Sequence, residues 1–322
     1  MIKTDTISII VPCYNEETVL PSYYDEMAKI METMHDVTFE LWLVDDGSSD
    51  QTLKLMKDLH NKDERCHFLS FSRNFGKEAA ILAGLQHATG DFVAIMDADL
   101  QDPPALLPQM YQAVTKEGYD SAAARRTTRK GEARIRSFFS KKFYKVVNRI
   151  SKTDIKEGAR DYRLMNRKMV NAVLKLCEYN RFSKGIFSWI GFDTKWIEYD
   201  NVERVAGETK WSFFALFKYS LEGILGFSVA PLAWSSVFGL IFCLLSFVMV
   251  FVIIIKTLIW GDPVGGWPSL ACILFFVSGI QLFSIGIVGQ YLAKTYLEAK
   301  RRPIYVLKED SNEEGTDHEK NR

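Results

Sequence analysis

Two stretches in the last third of the chain constrain it more than anything else. From Phe227 to Trp260 the only charged residue is Lys256, and from Trp267 to Ala293 there is none. Each run exceeds the roughly 20 apolar residues a helix needs to cross a bilayer. A buried hairpin in a soluble protein competes with this reading and is disfavoured at such lengths. The first run is longer than one span, so its opening part, Phe227 to Trp234, is expected at the membrane interface, with Pro231 near the helix start. The link GDPVGGWPS carries no Lys or Arg, whereas Lys210 and Lys218 precede the pair and Lys294, Lys300, Arg301 and Arg302 follow it. The positive-inside rule then puts both flanks in the cytoplasm and the link outside. The boundaries expected are 1–210 for a cytoplasmic domain, 211–228 for an amphipathic juxtamembrane segment, 229–295 for the hairpin and 296–322 for a cytoplasmic tail, whose polar end EDSNEEGTDHEKNR is expected to be disordered.

The first hundred residues repeat a different pattern, in which an apolar run ends in a polar cluster. ISIIV is followed by PCYNEE, FELWLV by DDGSSD, FLSF by SRNFGK, and FVAIM by DADLQD. Between the first two lie Val19, Leu20, Tyr23, Tyr24, Met27, Ile30, Met31 and Met34 at helical spacing. Ser48, Ser49 or Asp50 is placed to cap a helix beginning near Thr52. Continuous apolar strands alternating with helices describe a parallel-rich α/β sheet covered on both faces. Ligands of such sheets bind beyond the carboxyl ends of the strands, where every polar cluster falls.

Lys plus Arg balance Asp plus Glu at 40 each, so net charge points to no nucleic-acid partner. The balance hides a basic stretch: Arg125 to Lys168 holds sixteen Lys or Arg against four acids. Within it, residues 134–149 form an amphipathic pattern that suits either a membrane surface or a core-facing helix with a solvated basic side. Five scattered cysteines form no paired framework, which fits a reducing compartment. The N-terminus has no basic region followed by a cleavable apolar one, so no signal peptide is expected.

The chemistry-bearing residues collect at the strand ends. Asp97, Asp99 and Asp102 would repel one another unless a positive charge sits among them, most simply a divalent metal. Such a cation bridges carboxylates to a diphosphate, and Gln101 offers a neutral oxygen nearby. The alternative is that Asp99 or Asp102 caps the helix beginning near Pro103 and Pro104, and for Asp102 capping is the better reading. Gly76 allows close backbone approach and Lys77 opens a helix, which suits an anion, although Lys77 also fits a plain surface lysine. Asp161, between Arg160 and Arg163, also fits a salt-bridged loop residue. There is no GxGxxG after the first strand and no GxxxxGK[ST], which argues against a dinucleotide dehydrogenase and a P-loop NTPase.

IIVPCYNEE, LVDDGSSD, SRNFGKEAAILAGL, MDADLQDPP, ARDYRLM and RVAGETKWS, followed by two spanning helices, resemble the polyprenyl-phosphate glycosyltransferases. These are relatives of dolichol-phosphate mannose synthase within glycosyltransferase family 2, and the match runs from about Ile7 to Val306. The resemblance implies a GT-A nucleotide-sugar domain and an Mg²⁺ or Mn²⁺ held by Asp97, Asp99 and Gln101. It implies inverting transfer of a hexose from a nucleotide sugar, UDP-glucose or UDP-N-acetylglucosamine, to a polyprenyl phosphate at the cytoplasmic face of the plasma membrane. By motif position Pro12, Tyr14, Glu16, Asp46, Gly76, Lys77 and Asp97 contact the nucleotide sugar. Arg126 and Arg204 hold phosphates, Asp99 serves the metal, and Asp161 is the candidate base. Self-association is left open. Two competing functions remain: a processive polysaccharide synthase, disfavoured by two spans and the lack of QxxRW, and a non-catalytic scaffold that retains a nucleotide-binding domain.

Overall fold

The computed structural model describes residues 4–126, 156, 158–176, 178–200, 230–260 and 266–312. The chain divides into two compact units, one of Met1–Ser220 with Pro303–Arg322 and the other of Leu221–Arg302.

The first unit is built on a sheet whose described strands number eight, in the order β7-β5-β6-β4-β1-β2-β3-β8. β1 (Asp5–Cys13), β2 (Val37–Asp45), β3 (Cys66–Phe71) and β4 (Phe92–Ile95) are the four apolar runs, and they pair in parallel. Ile7, Ile9, Ile10 and Val11 are all fully buried, because both faces of the sheet are covered and strand side chains alternate between them. α1 (Leu20–Thr33), α2 (Thr52–Lys62) and α3 (Lys77–His87) are the crossovers. α1 turns Leu20, Tyr23, Tyr24, Met27 and Met31 inward, the face its spacing indicated. Burying each such side chain is worth roughly 1.5–3 kcal/mol, so this stripe rather than helix propensity holds α1 in place. Asp50 bonds the Thr52 N–H at the start of α2 (3.0 Å), as expected of one of the three capping candidates.

The far side of the sheet departs from the parallel pattern. A 3₁₀ turn at Pro104–Leu106 leads into α4 (Leu107–Thr115), and β5 (Ser121–Arg126) follows. β6 (Ala159–Asn166) inserts antiparallel between β4 and β5. α5 (Arg167–Leu174) and α6 (Ser183–Trp189) precede β7 (Thr194–Tyr199), which runs parallel to β5.

The expectation of a disordered tail is corrected at its start. β8 (Leu307–Asp310) pairs antiparallel with β3 and closes an otherwise open sheet edge. Its two acids are partnered: Glu309 pairs with Lys57, and Asp310 lies 3.6 Å from His87 Nε2. The residues after Asn312 lie outside those described.

The second unit holds α7 (Ala230–Trp260), with Pro231 in its first turn, and α8 (Trp267–Ala299). The second helix continues to Ala299, past the 295 expected as the end of the hairpin. Leu232–Trp260 contains an 18-residue window of mean hydropathy 3.1 and Ile273–Ala299 one of 1.8, and both segments are long and apolar enough to cross a membrane. Phe247, Leu258, Phe275 and Leu282 are all exposed, as side chains facing lipid are.

Candidate active site at the carboxyl edge of the sheet

β1, β2, β3 and β4 all point their carboxyl ends to one edge, and the polar clusters that follow interlock there. After β1, Asn15 adopts a left-handed conformation (φ 56°), accepts from the Ser49 N–H (2.8 Å) and donates its own N–H to Ser48 Oγ (2.9 Å). The Glu16 N–H reaches Thr52 Oγ1 at 2.8 Å, so the PCYNEE and DDGSSD turns are one hydrogen-bonded structure. Pro12 lies within β1, and Tyr14, just past its end, is 43% exposed, available to a flat ring.

The two aspartates at the end of β2 diverge in role. Asp45 is a structural acceptor for Ser48 N–H (2.9 Å) and Ser70 Oγ (2.8 Å). Asp46, 3% exposed, accepts from the Phe75 N–H (2.6 Å) and the Gly76 N–H (2.9 Å), fastening the turn after β3 to the turn after β2. Burial pushes its pKa up to about 6, against those two N–H groups, with Asp45 adding to the rise. Gly47, which follows Asp46, is required twice over: its φ is +67°, and a Cβ would stand 2.5 Å from the Arg73 carbonyl carbon. Gly76 has open space around a hypothetical Cβ, so its need is conformational (φ +99°) rather than one of close approach.

The positive charge demanded by the aspartates after β4 is present in the chain itself. Lys77, the first residue of α3, sets its ammonium 2.6 Å from Asp97 Oδ1 and 2.6 Å from Asp161 Oδ2. The surface-lysine alternative is thereby replaced, since this cation is gripped by two carboxylates while its side chain stays 42% exposed. Partial desolvation disfavours the ammonium, but Asp161 and Asp97 outweigh it and raise its pKa above the usual lysine range. Asp161 also has Lys184 of α6 at 3.8 Å. Burial works against its charge, and Lys184, Lys77 and Arg160 more than offset this, holding the carboxyl far below the usual range.

Asp161 lies on β6 and not in a loop. Its neighbours Arg160 and Arg163 are not its direct partners. Strand alternation sends Arg160 to the opposite face, where its Nε meets Asp102 Oδ1 (2.8 Å) and its Nη2 meets Gln101 Oε1 (3.2 Å). Arg163 is buried with its guanidinium 3.9 Å from the Phe187 ring centre, and burial lowers its pKa to about 10. Asp102, 1% exposed, is bonded by Arg160 and by the Tyr199 hydroxyl. It is a buried ion-pair residue rather than the helix cap expected of it, because the following turn takes no side-chain cap.

Asp97, Asp99 and Gln101 share one short loop with Leu100 in a left-handed conformation (φ 55°), and Asp99 Oδ1 accepts the Gln101 N–H (3.1 Å). Among the described residues no three acidic, histidine or cysteine side chains form an all-protein metal cage. The donor set fits the other kind of site: two carboxylates and an amide oxygen, all hard ligands, suit a cation that fills its shell with water and substrate phosphates. Arg126 ends β5, its N–H bonded to the Gly158 carbonyl (3.0 Å). Arg204 and the basic 134–149 segment lie outside the described residues.

The sequence did not single out Glu78 or Lys184. Glu78 accepts from the Ser183 N–H (2.9 Å) and hydroxyl, tying α3 to α6, and burial raises its pKa. That contact is what brings Lys184 beside Asp161.

The glycosyl transferase family 2 model matches residues 8–174, the span that supplies this edge up to Asp161. The chain belongs to glycosyl transferase family 2. The family 2 enzyme is 43% identical over 307 residues to the putative glycosyltransferase CsbB of Bacillus subtilis (strain 168), covering 95% of this chain and 92% of that one. It is 40% identical over 304 residues to the bactoprenol glucosyl transferase of Shigella phage SfV, covering 94% and 98%. Among solved structures, mannosyl-3-phosphoglycerate synthase from Rubrobacter xylanophilus aligns at a TM-score of 0.47 and 18% identity, over 68% of this chain and 72% of that one. The sheet and its helices are of the GT-A type, and the chemistry is glycosyl transfer.

Proposed function

We propose that this enzyme transfers a hexose, glucose in the first place and N-acetylglucosamine in the second, from a UDP donor to a polyprenyl phosphate at the cytoplasmic face of the plasma membrane. The observation that carries the reading is the convergence of Asp97, Asp161 and Lys77 at one sheet edge, beside the Asp46–Gly76 turn. A site so rich in alternating charge suits a diphosphate leaving group and an anionic acceptor. The name of the phage relative supports glucose and a bactoprenol acceptor. Two helices of spanning length support an acceptor that stays in the bilayer.

In this reading Tyr14 and Asp46 take the nucleoside, and Pro12, Glu16 and Gly76 shape its pocket. Asp97, Asp99 and Gln101 hold Mg²⁺ or Mn²⁺, which when bound offsets charge on the departing diphosphate. Lys77 is a second cation of the same kind, already held at the site. Arg126 and Arg204 serve phosphates, and a guanidinium pairs with phosphate bidentately where lysine does not. An oxygen of the lipid phosphomonoester forms the new bond to the anomeric carbon from the face opposite the leaving group, and the bond from that carbon to the UDP oxygen breaks. A phosphomonoester has its second pKa near 6 and is already mostly ionised at neutral pH. Asp161, paired with Lys77 and Lys184 and held ionised, therefore orients cations and acceptor and has no hydroxyl proton to remove.

The test is incorporation of label from a panel of radiolabelled sugar nucleotides into undecaprenyl phosphate by the purified full chain. Label from UDP-glucose in the lipid fraction is expected. Consumption of no sugar nucleotide with lipid phosphate present would favour the scaffold reading, and label in a growing polymer would favour the processive synthase.

A further inference from the structure

We infer that Tyr305, on the segment returning from α8 to the sheet, is a positioning residue for the turn at Phe75–Gly76. The inference rests on the reading that Asp46, Gly76 and Lys77 hold the nucleotide.

The Tyr305 ring stacks on Phe71 at the end of β3, with ring centres 4.9 Å apart and planes 15° from parallel. Its hydroxyl bonds Gln86 Oε1 on α3, so one side chain grips the strand before the SRNFGK turn and the helix after it. The next residue, Val306, accepts the Ser72 N–H at 3.0 Å, holding the first residue of that turn. Phe71, 2% exposed, meets Phe75 edge-on, at 5.8 Å and 87°. Arg73 covers the Phe75 ring at 3.9 Å. Phe75 then donates its N–H to Asp46, as does Gly76. The turn is thus clamped from two sides, by Asp46 towards the nucleotide pocket and by Tyr305 and Val306 from behind.

A turn fixed before the ligand arrives binds more tightly than one that must be ordered on binding. In this protein the rear clamp is the continuation of the second spanning-length helix, and the donor pocket is complete only when that segment is docked. The sequence marks the segment as a short apolar stretch between the basic residues after α8 and an acidic tail, with no hint of the turn it meets.

The test measures UDP and UDP-glucose binding by calorimetry on the detergent-solubilised full chain, with the donor KM and kcat alongside. Loss of one aromatic pair predicts that Tyr305→Ala weakens UDP binding roughly three- to tenfold. The donor KM should rise by the same factor while kcat stays within about twofold. Tyr305→Phe keeps the ring and should bind UDP nearly as the parent does. Glu309→Gln breaks the Lys57 pair on the same strand without touching Phe71; it should lower the melting temperature and leave UDP binding unchanged. If Tyr305→Ala does not fold, Tyr305→Leu, which keeps apolar cover on Phe71, carries the same expectation. Parental UDP affinity in the Ala or Leu variant overturns the inference, as does equal weakening by Glu309→Gln. Failure of the unsubstituted chain to bind UDP overturns instead the functional reading beneath it.

Discussion

Asp46→Asn separates what the nucleotide pocket gains from this carboxylate from what the fold loses by burying it. Asp46 is 3% exposed and its pKa is raised from 3.8 to about 6, chiefly by burial. A carboxyl whose folded pKa exceeds its unfolded one stabilises the protein while protonated. That contribution is complete below pH 3.8 and is lost as the pH rises through 6. The shift of about two units corresponds to about 3 kcal/mol against folding at pH 8, and about half of that at pH 5. Asparagine imitates the protonated acid, keeping an oxygen for the Phe75 and Gly76 N–H groups without the charge. The variant should therefore melt roughly 5 °C or more above the parent at pH 8, with a clearly smaller gain at pH 5. Its affinity for UDP-glucose should fall by about tenfold or more, since a charged acceptor for the nucleoside is gone. Melting followed by tryptophan fluorescence at the two pH values, with calorimetry for the donor, measures both. A variant no more stable than the parent at pH 8, or one with equal gains at both pH values, would refute the reasoning.

Asp97→Asn and Asp99→Asn should each abolish transfer while the protein still folds and fractionates with membranes; EDTA should silence the parent, with Mg²⁺ or Mn²⁺ restoring it, and full activity in EDTA would remove the metal. Asp161→Asn should keep measurable activity above pH 6, where the acceptor phosphate is ionised; complete loss there with normal donor and acceptor binding would give Asp161 an essential chemical role. In intact cells an impermeant thiol reagent should label a cysteine placed at Gly265 and spare one at Gly315, and the reverse pattern would overturn the topology. The second probe sits at Gly315 because Ser311 is buried, its N–H bonded to the Phe68 carbonyl.

The parts of this structure legible in the sequence are those whose signal is local. β1 to β4 are apolar runs, α1 carries its stripe, and each polar cluster falls at a strand end because only there does a buried strand meet solvent. Long-range pairing was hidden. β6 contains Arg160, Asp161 and Arg163, which look like loop chemistry until partners on the 101–102 loop, α3 and α6 are brought to them. β5 is alanine-rich, a weak strand signal, and is stabilised by neighbours on both sides. β8 is four residues with three charges, recognisable only once β3 offers it an edge. In the site, the aspartates announced that a cation was needed. That the chain supplies one in Lys77 depends on α3 starting where β4 ends and β6 begins, which no spacing within a single motif reveals.

The central claim is transfer of a sugar, and not of a sugar phosphate, onto a lipid phosphate. Mass spectrometry of the lipid product, with identification of the nucleotide released, tests it most directly. Purified protein given UDP-glucose and undecaprenyl phosphate should yield a hexosyl monophosphate lipid and free UDP in equal amounts. A lipid diphosphate sugar with release of UMP, or a product that carries no lipid, would contradict the account.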